Sequence, residues 1–314
     1  MPRAHLYHLP GYVWHLTARC HRQQWLLRFA RDRRAWVHWL YVARRRFALC
    51  VLNYQVTSNH VHLLVHDRGG DEIARSLQLI EGCTGQAYNR RKRRRGAFWE
   101  DSYHATAVDT EAHLARCMTY IDLNMVRAGA VAHPCQWGES GYAEIQRAPQ
   151  RYRIIDRAVL CGLLGVAEAR LAMLQNQWIE AALAGGRLQR EPHWSEALAV
   201  GSRPFAECVQ AALGGRARYR HLDDAPGVSV LRESEAPYEA HSRAEMVRLN
   251  APDGCDFNQS SAQRGGCGGE TALGSLGRDS PLRAARQPPP HRTTGALSPV
   301  AGPGPRTGPD SRLR

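Results

Sequence analysis

The run Ser58-Asn59-His60-Val61-His62-Leu63-Leu64-Val65 decides how this chain is read. In an extended strand, alternate side chains share a face. His60 and His62 then point the same way, with Cβ atoms about 6.6 Å apart. Val61, Leu63 and Val65 point the other way and suit burial. Such a strand offers two nitrogen ligands that can converge on one ion. The plainer alternative is a pair of ordinary sheet histidines, because the chain holds 15 histidines and a short motif needs its context.

A second run, Tyr120-Ile121-Asp122-Leu123-Asn124-Met125-Val126-Arg127-Ala128-Gly129, closes a helix predicted over 110–128. Asp109 is the expected N-cap, and Glu111 in the first turn suits the helix dipole. Leu114, Cys117, Met118, Ile121 and Met125 form an apolar stripe. Arg127 falls in the last turn and Gly129 at the C-cap. Tyr120 and Asn124, four apart, are neighbours on one face. That face lies at the edge of the stripe, so a partly exposed phenol beside an amide is expected. An ordinary boundary tyrosine is the competing reading.

Around these runs the chain alternates. A strand near 12–19, a helix near 30–47, a strand at 50–66, a helix near 71–90 and a strand near 97–108 precede the helix at 110–128. This order predicts an α+β fold, an antiparallel sheet with helices on one face. Residues 1–148 form the expected catalytic domain. Residues 150–225 read as a small helical accessory region. One helix opens at Val166-Ala167-Glu168 and ends at Gly185-Gly186; another starts at Pro204 and ends at Gly214-Gly215. Residues 250–314, rich in Gly, Pro, Ser and Arg, cannot bury enough apolar surface to fold and are expected to be disordered.

The formal net charge of +13 and pI near 9.7 suit a polyanionic partner. Charge is densest at Arg90-Arg91-Lys92-Arg93-Arg94-Arg95, between Tyr88 and the pair Phe98-Trp99. Cations beside aromatics suit phosphate contact with base stacking, although such runs are often solvated loops. Arg31, Arg33, Arg34 and Arg44-Arg45-Arg46 bracket a second basic helix, either a grip on a DNA stem or a polar face. Nine cysteines without a CxxC pair argue against a disulfide framework. No apolar stretch reaches the ~18 residues of a membrane helix, and a cytoplasmic location is expected.

The two motif runs together resemble the single-tyrosine HUH transposases, most closely the REP-associated tyrosine transposases of the IS200-like group. His60-Val61-His62 resembles their His-hydrophobic-His metal motif, and Tyr120 to Gly129 their tyrosine helix. His8-Leu9-Pro10-Gly11 with His15-Leu16-Thr17-Ala18-Arg19 resembles the opening strand. Ala97-Phe98-Trp99-Glu100-Asp101-Ser102-Tyr103 resembles the strand before the tyrosine helix. The likeness spans roughly residues 1–150, with all four motifs in order. It differs at Met125, where proline is usual, and at Thr57-Ser58, where Met-Pro is usual.

The resemblance implies a ferredoxin-like fold and metal-dependent cutting of single-stranded DNA that bears hairpins. Tyr120 would be the nucleophile, forming a 5′-phosphotyrosine link. His60, His62 and Asn124 would hold Mg²⁺ or Mn²⁺, an open N/O site of the kind those ions accept. Arg90, Arg91, Lys92, Arg93, Arg94, Arg95 and Arg127 would contact DNA. The protein would act as a monomer or homodimer. A non-catalytic hairpin-binding protein that keeps the fold is the alternative. His66 reads as a strand-end or DNA-contact residue; His15 could face the site, but reads first as a satisfied sheet histidine.

Overall fold

The computed structural model describes residues 9–149, 152–186, 188–214, 220–225 and 227–233. The expected disordered tail, 250–314, lies outside the described residues. The first six elements are β1 (Val13–Arg19), α1 (Ala30–Phe47), β2 (Cys50–Val56), β3 (His60–His66), α2 (Glu72–Lys92) and β4 (His104–Val108). Their strands order as β2-β3-β1-β4, and every neighbouring pair is antiparallel. This is the βαββαβ ferredoxin-like arrangement.

The run expected as one strand over 50–66 is two strands joined by a tight turn. Thr57 N–H donates to His60 O at 2.9 Å, and Thr57 Oγ1 accepts from the His60 N–H at 3.0 Å. Thr-Ser-Asn is good turn chemistry, and the apolar residues on either side masked it. Within 97–108 only the second half is a strand; Trp99 makes an isolated bridge to Cys20.

The register sets Trp14, Leu16 and Ala18 of β1 on one face with Val61, Leu63 and Val65 of β3. All six are buried, together with Trp36 and Leu40 of α1 and Ile73, Leu77 and Ile80 of α2. The expectation of helices on one face holds for this pair of crossover helices. The other face carries His15, Thr17, His60 and His62, and α3 (Glu111–Asp122) lies across it. Asp122 fixes α3 there, accepting from Asn53 Nδ2 of β2 at 3.0 Å. After a break at Leu123 the short α4 (Asn124–Arg127) follows, and Gly129 takes the left-handed φ of 66° expected of a C-cap.

Beyond these come α5 (Gly141–Gln146), α6 (Arg157–Leu164), α7 (Glu168–Ala184), α8 (His193–Glu196), β5 (Ala199–Gly201), α9 (Arg203–Leu213), β6 (Arg220–Ala225) and β7 (Val228–Glu233). The two helices expected in 150–225 are α7 and α9. The region is not purely helical, however. β5 pairs in parallel with β4, Ala107 opposite Ala199, and the sheet continues as β5-β7-β6 to seven strands. A three-residue strand and the polar β6, Arg-His-Leu-Asp-Asp-Ala, carry no period-2 apolar signal to predict them. Asp109, expected to cap α3, ties down this extension: its carboxylate accepts from Ser202 N–H and Oγ at 3.0 and 2.7 Å. The N-cap position belongs to Thr110. No single helix among the described residues is long and apolar enough to cross a membrane.

Candidate active site

Strand β3 presents His60 and His62 from one face, with ring centroids 4.9 Å apart. Hydrogen bonds fix which nitrogens are free. His60 Nδ1 donates to Asn59 Oδ1 at 2.8 Å. The Trp194 carbonyl lies 2.6 Å from His15 Nδ1. A carbonyl only accepts, so that nitrogen carries the proton. His15 Nε2 therefore accepts from His62 Nδ1, 2.9 Å away. Both His60 and His62 are left with a lone pair on Nε2. Asn124 Nδ2 meets the His62 lone pair at 2.9 Å.

Burial keeps these rings neutral. It lowers His15 to about 4. Burial first, then the charges of Arg19 and Arg127, lowers His60 to about 4. His62 falls well below the ordinary value, through burial and then its neighbouring imidazoles. Neutral imidazoles are the form that ligates metal. Rotating the Asn124 amide would add an oxygen. Among the described residues no cluster of three or more His, Cys, Asp or Glu forms. The donor set therefore fits an open, mixed N/O site and does not fit a closed zinc site.

Tyr120 sits edge-on to His62 and His15, with centroids 6.2 and 6.4 Å apart. Trp194 tilts against it at 6.3 Å. The Arg127 guanidinium lies 4.1 Å over its ring and donates to the Tyr120 carbonyl at 2.6 Å. Those two neighbours explain why Tyr120 is only 6% exposed, more buried than the helix pattern predicts.

A cavity of about 470 Å³ opens over this group. His60, His62, Tyr120, Asn124 and Arg127 line it, with Arg19 from β1 and Arg190 and Ser195 from the later region. Three arginines at one cavity mouth suit a phosphate-bearing ligand. Sequence reasoning missed Arg19, Arg190 and Trp194 as site residues. Arg19 had a signal, since it alternates with His15 and Thr17; the other two had none. His15 is the satisfied sheet histidine expected, and its partner proves to be His62. His66 ends β3, four residues past His62, away from the cavity.

The basic run lies apart from the cavity, at the end of α2. It is not uniform. Arg91 pairs with the buried Asp32. Arg94 closes the following turn, donating to Asn89 Oδ1 at 3.1 Å and Ala97 O at 2.8 Å. Arg90, Arg93 and Arg95 are exposed, and Lys92 Nζ lies 5.5 Å over the Phe29 ring. Arg33 of the second basic group is structural, donating to Glu139 at 3.0 Å and to the Arg28 carbonyl at 2.6 Å.

Residues 12–124 match the family described as transposase IS200 like. No curated protein matches the chain. Among solved structures, that of a REP-associated tyrosine transposase bound to a REP hairpin is similar at 18% identity and a TM-score of 0.40, covering 49% of this chain and 90% of that one. The matched segment runs from β1 through the histidine strand to Asn124, and over residues 12–124 the chain is thus similar to the transposase IS200-like family.

Proposed function

We propose that the protein cuts and rejoins single-stranded DNA bearing hairpins, using Tyr120 as nucleophile. The observation that carries this reading is the convergence of Tyr120, Asn124, His60 and His62 at one cavity of a single chain. The phenolic oxygen attacks the scissile phosphorus. A P–O bond to Tyr120 forms, the bond to the 3′ oxygen breaks, and that oxygen leaves to become a free 3′-hydroxyl. The same or another 3′-hydroxyl reverses the step, so strands rejoin without an external energy source. A phenol with pKa near 10 is a weak nucleophile at neutral pH and gains from activation. Mg²⁺ or Mn²⁺ held by His60, His62 and Asn124 would polarise a phosphoryl oxygen and offset charge in the transition state. Arg19, Arg127 and Arg190 orient the phosphate from the protein side.

The test uses labelled hairpin oligonucleotides with Mg²⁺ or Mn²⁺, resolved on a denaturing gel. A DNA–protein adduct is expected, absent with EDTA, with Tyr120→Phe and with His62→Ala, while Tyr120→Phe still binds the hairpin. Tight binding with no adduct under either metal would assign the protein to the non-catalytic reading.

A further inference from the structure

Trp25 and Phe29 are 65% and 53% exposed, on the loop between β1 and α1. Isolated exposed apolar residues are ordinary, but this loop is neither loose nor relaxed. Arg22 and Gln23 take successive left-handed φ angles of 53° and 55°, a conformation that non-glycine residues keep only when the surroundings impose it. The surroundings do impose it. Cys20 N–H donates to Asn59 O, and Leu27 N–H to Ser58 O, at 2.8 and 2.9 Å. Leu26 and Leu27 are buried, and Arg33 grips the Arg28 carbonyl. A loop fixed from both ends thus holds two large aromatics out in water.

The loop also joins the two charged features of the molecule. Gln23 lines the cavity beside His60, and its carbonyl accepts from Asn59, the residue that orients His60. Next to it Gln24 Oε1 accepts from Arg94 at 3.4 Å, and at the other end of the loop Lys92 sits over Phe29. Aromatics interleaved with cations, beside a cavity lined by arginines, are what an unpaired nucleic-acid strand needs: faces for bases and charges for phosphates. The surrounding cations oppose a second copy of this basic chain.

We propose that Trp25 and Phe29 form a stacking rail for the unpaired bases flanking the cleavage site. The proposal rests on the reading of single-stranded DNA as substrate. The rail serves unpaired bases only, since a duplex does not offer free base faces.

The experiment measures binding by fluorescence anisotropy in EDTA, which prevents cutting. One probe is a hairpin with short unpaired flanks; the other is the same hairpin with blunt ends. Trp25→Ala and Phe29→Ala are each expected to weaken the flanked probe about 10-fold, within the range for loss of one stacked base. The blunt probe should bind unchanged, and Trp25→Tyr should restore most of the flanked affinity. Unchanged affinity of both alanine variants for the flanked probe would overturn the rail. So would an equal loss on both probes, or a change of oligomeric state on light scattering, which would make the strip a protein interface. Wild-type protein that binds neither probe would remove the DNA reading itself, and the rail with it.

Discussion

At the residue scale the decisive feature is the hydrogen-bonded line from Asn124 through His62 and His15 to the Trp194 carbonyl. It holds the His62 ring in one orientation and aims one nitrogen at the cavity. Second-partner hydrogen bonds of this kind orient metal-binding histidines. Burial sets the pH behaviour. His15 has a folded value of about 4 against an ordinary 6.5, so below 6.5 the unfolded chain takes up the proton and the folded chain does not. Stability is therefore fully present above about pH 6.5 and falls as pH drops towards 4, by roughly 3 kcal/mol for this one ring. Urea titrations across that window should show the loss, and His15→Phe should make it shallower by one ring's share, with the buried His60 and His62 keeping the rest. A flat wild-type profile would mean that the ring is not buried neutral. Tyr120 and His60-x-His62 were legible in the sequence because their spacing is local. The role of His15 was not, because its partner Trp194 is 179 residues away.

At the element scale, α3 carries Tyr120, the proposed nucleophile, and Asp122 positions α3. Its two carboxylate oxygens accept from Asn53 of β2 at 3.0 Å and from Gln175 of α7 at 2.9 Å. Burial raises this carboxyl to about 7 against the opposing pull of those two bonds. Asp122→Ala would leave the buried amide nitrogens of Asn53 and Gln175 without their acceptor, and a loss of about 2–4 kcal/mol is expected in chemical denaturation. A change under half a kcal/mol would show that α3 is held by its apolar stripe alone. That stripe, Leu114, Cys117, Met118, Ile121 and Met125, is buried as the spacing predicted. Helix α8 reaches the same site from more than 70 positions further along the chain, and Trp194 is fully buried against Tyr120. Trp194→Ala should cost about 3–5 kcal/mol, measurable as a lowered urea midpoint, and should weaken adduct formation. An unaffected midpoint would mean that the later region is dispensable. The sequence read α7 and α9 correctly from their capping and periodicity. It could not read β5, which is three residues long and is a strand only because the β4 edge is there to pair with it.

At the scale of the whole molecule, a net charge of +13 would make the proposed DNA affinity a matter of ionic strength. Binding should weaken steeply with salt, the slope counting the phosphates neutralised. Replacing Arg90, Arg93 and Arg95 together by alanine should lower that slope by roughly 2–3 units. An unchanged slope would mean that these exposed residues do not touch the backbone. Arg91 and Arg94 are poorer test positions, because the first pairs with buried Asp32 and the second closes a turn. No run of arginines in a sequence separates those two groups, since the difference lies in which side chain meets a carboxylate or carbonyl from elsewhere in the fold. By itself the sequence determined the alternation of strands and helices, the histidine strand, the tyrosine helix and the strongly basic balance, because alternation, helical period and charge are properties of neighbouring residues. Only the tertiary structure decided that the sheet runs on through residues after 150, that Trp194 and Arg190 complete the site, and that Tyr120 lies largely covered. Those contacts join residues tens to hundreds of positions apart, and packing, with no local signal, selects them.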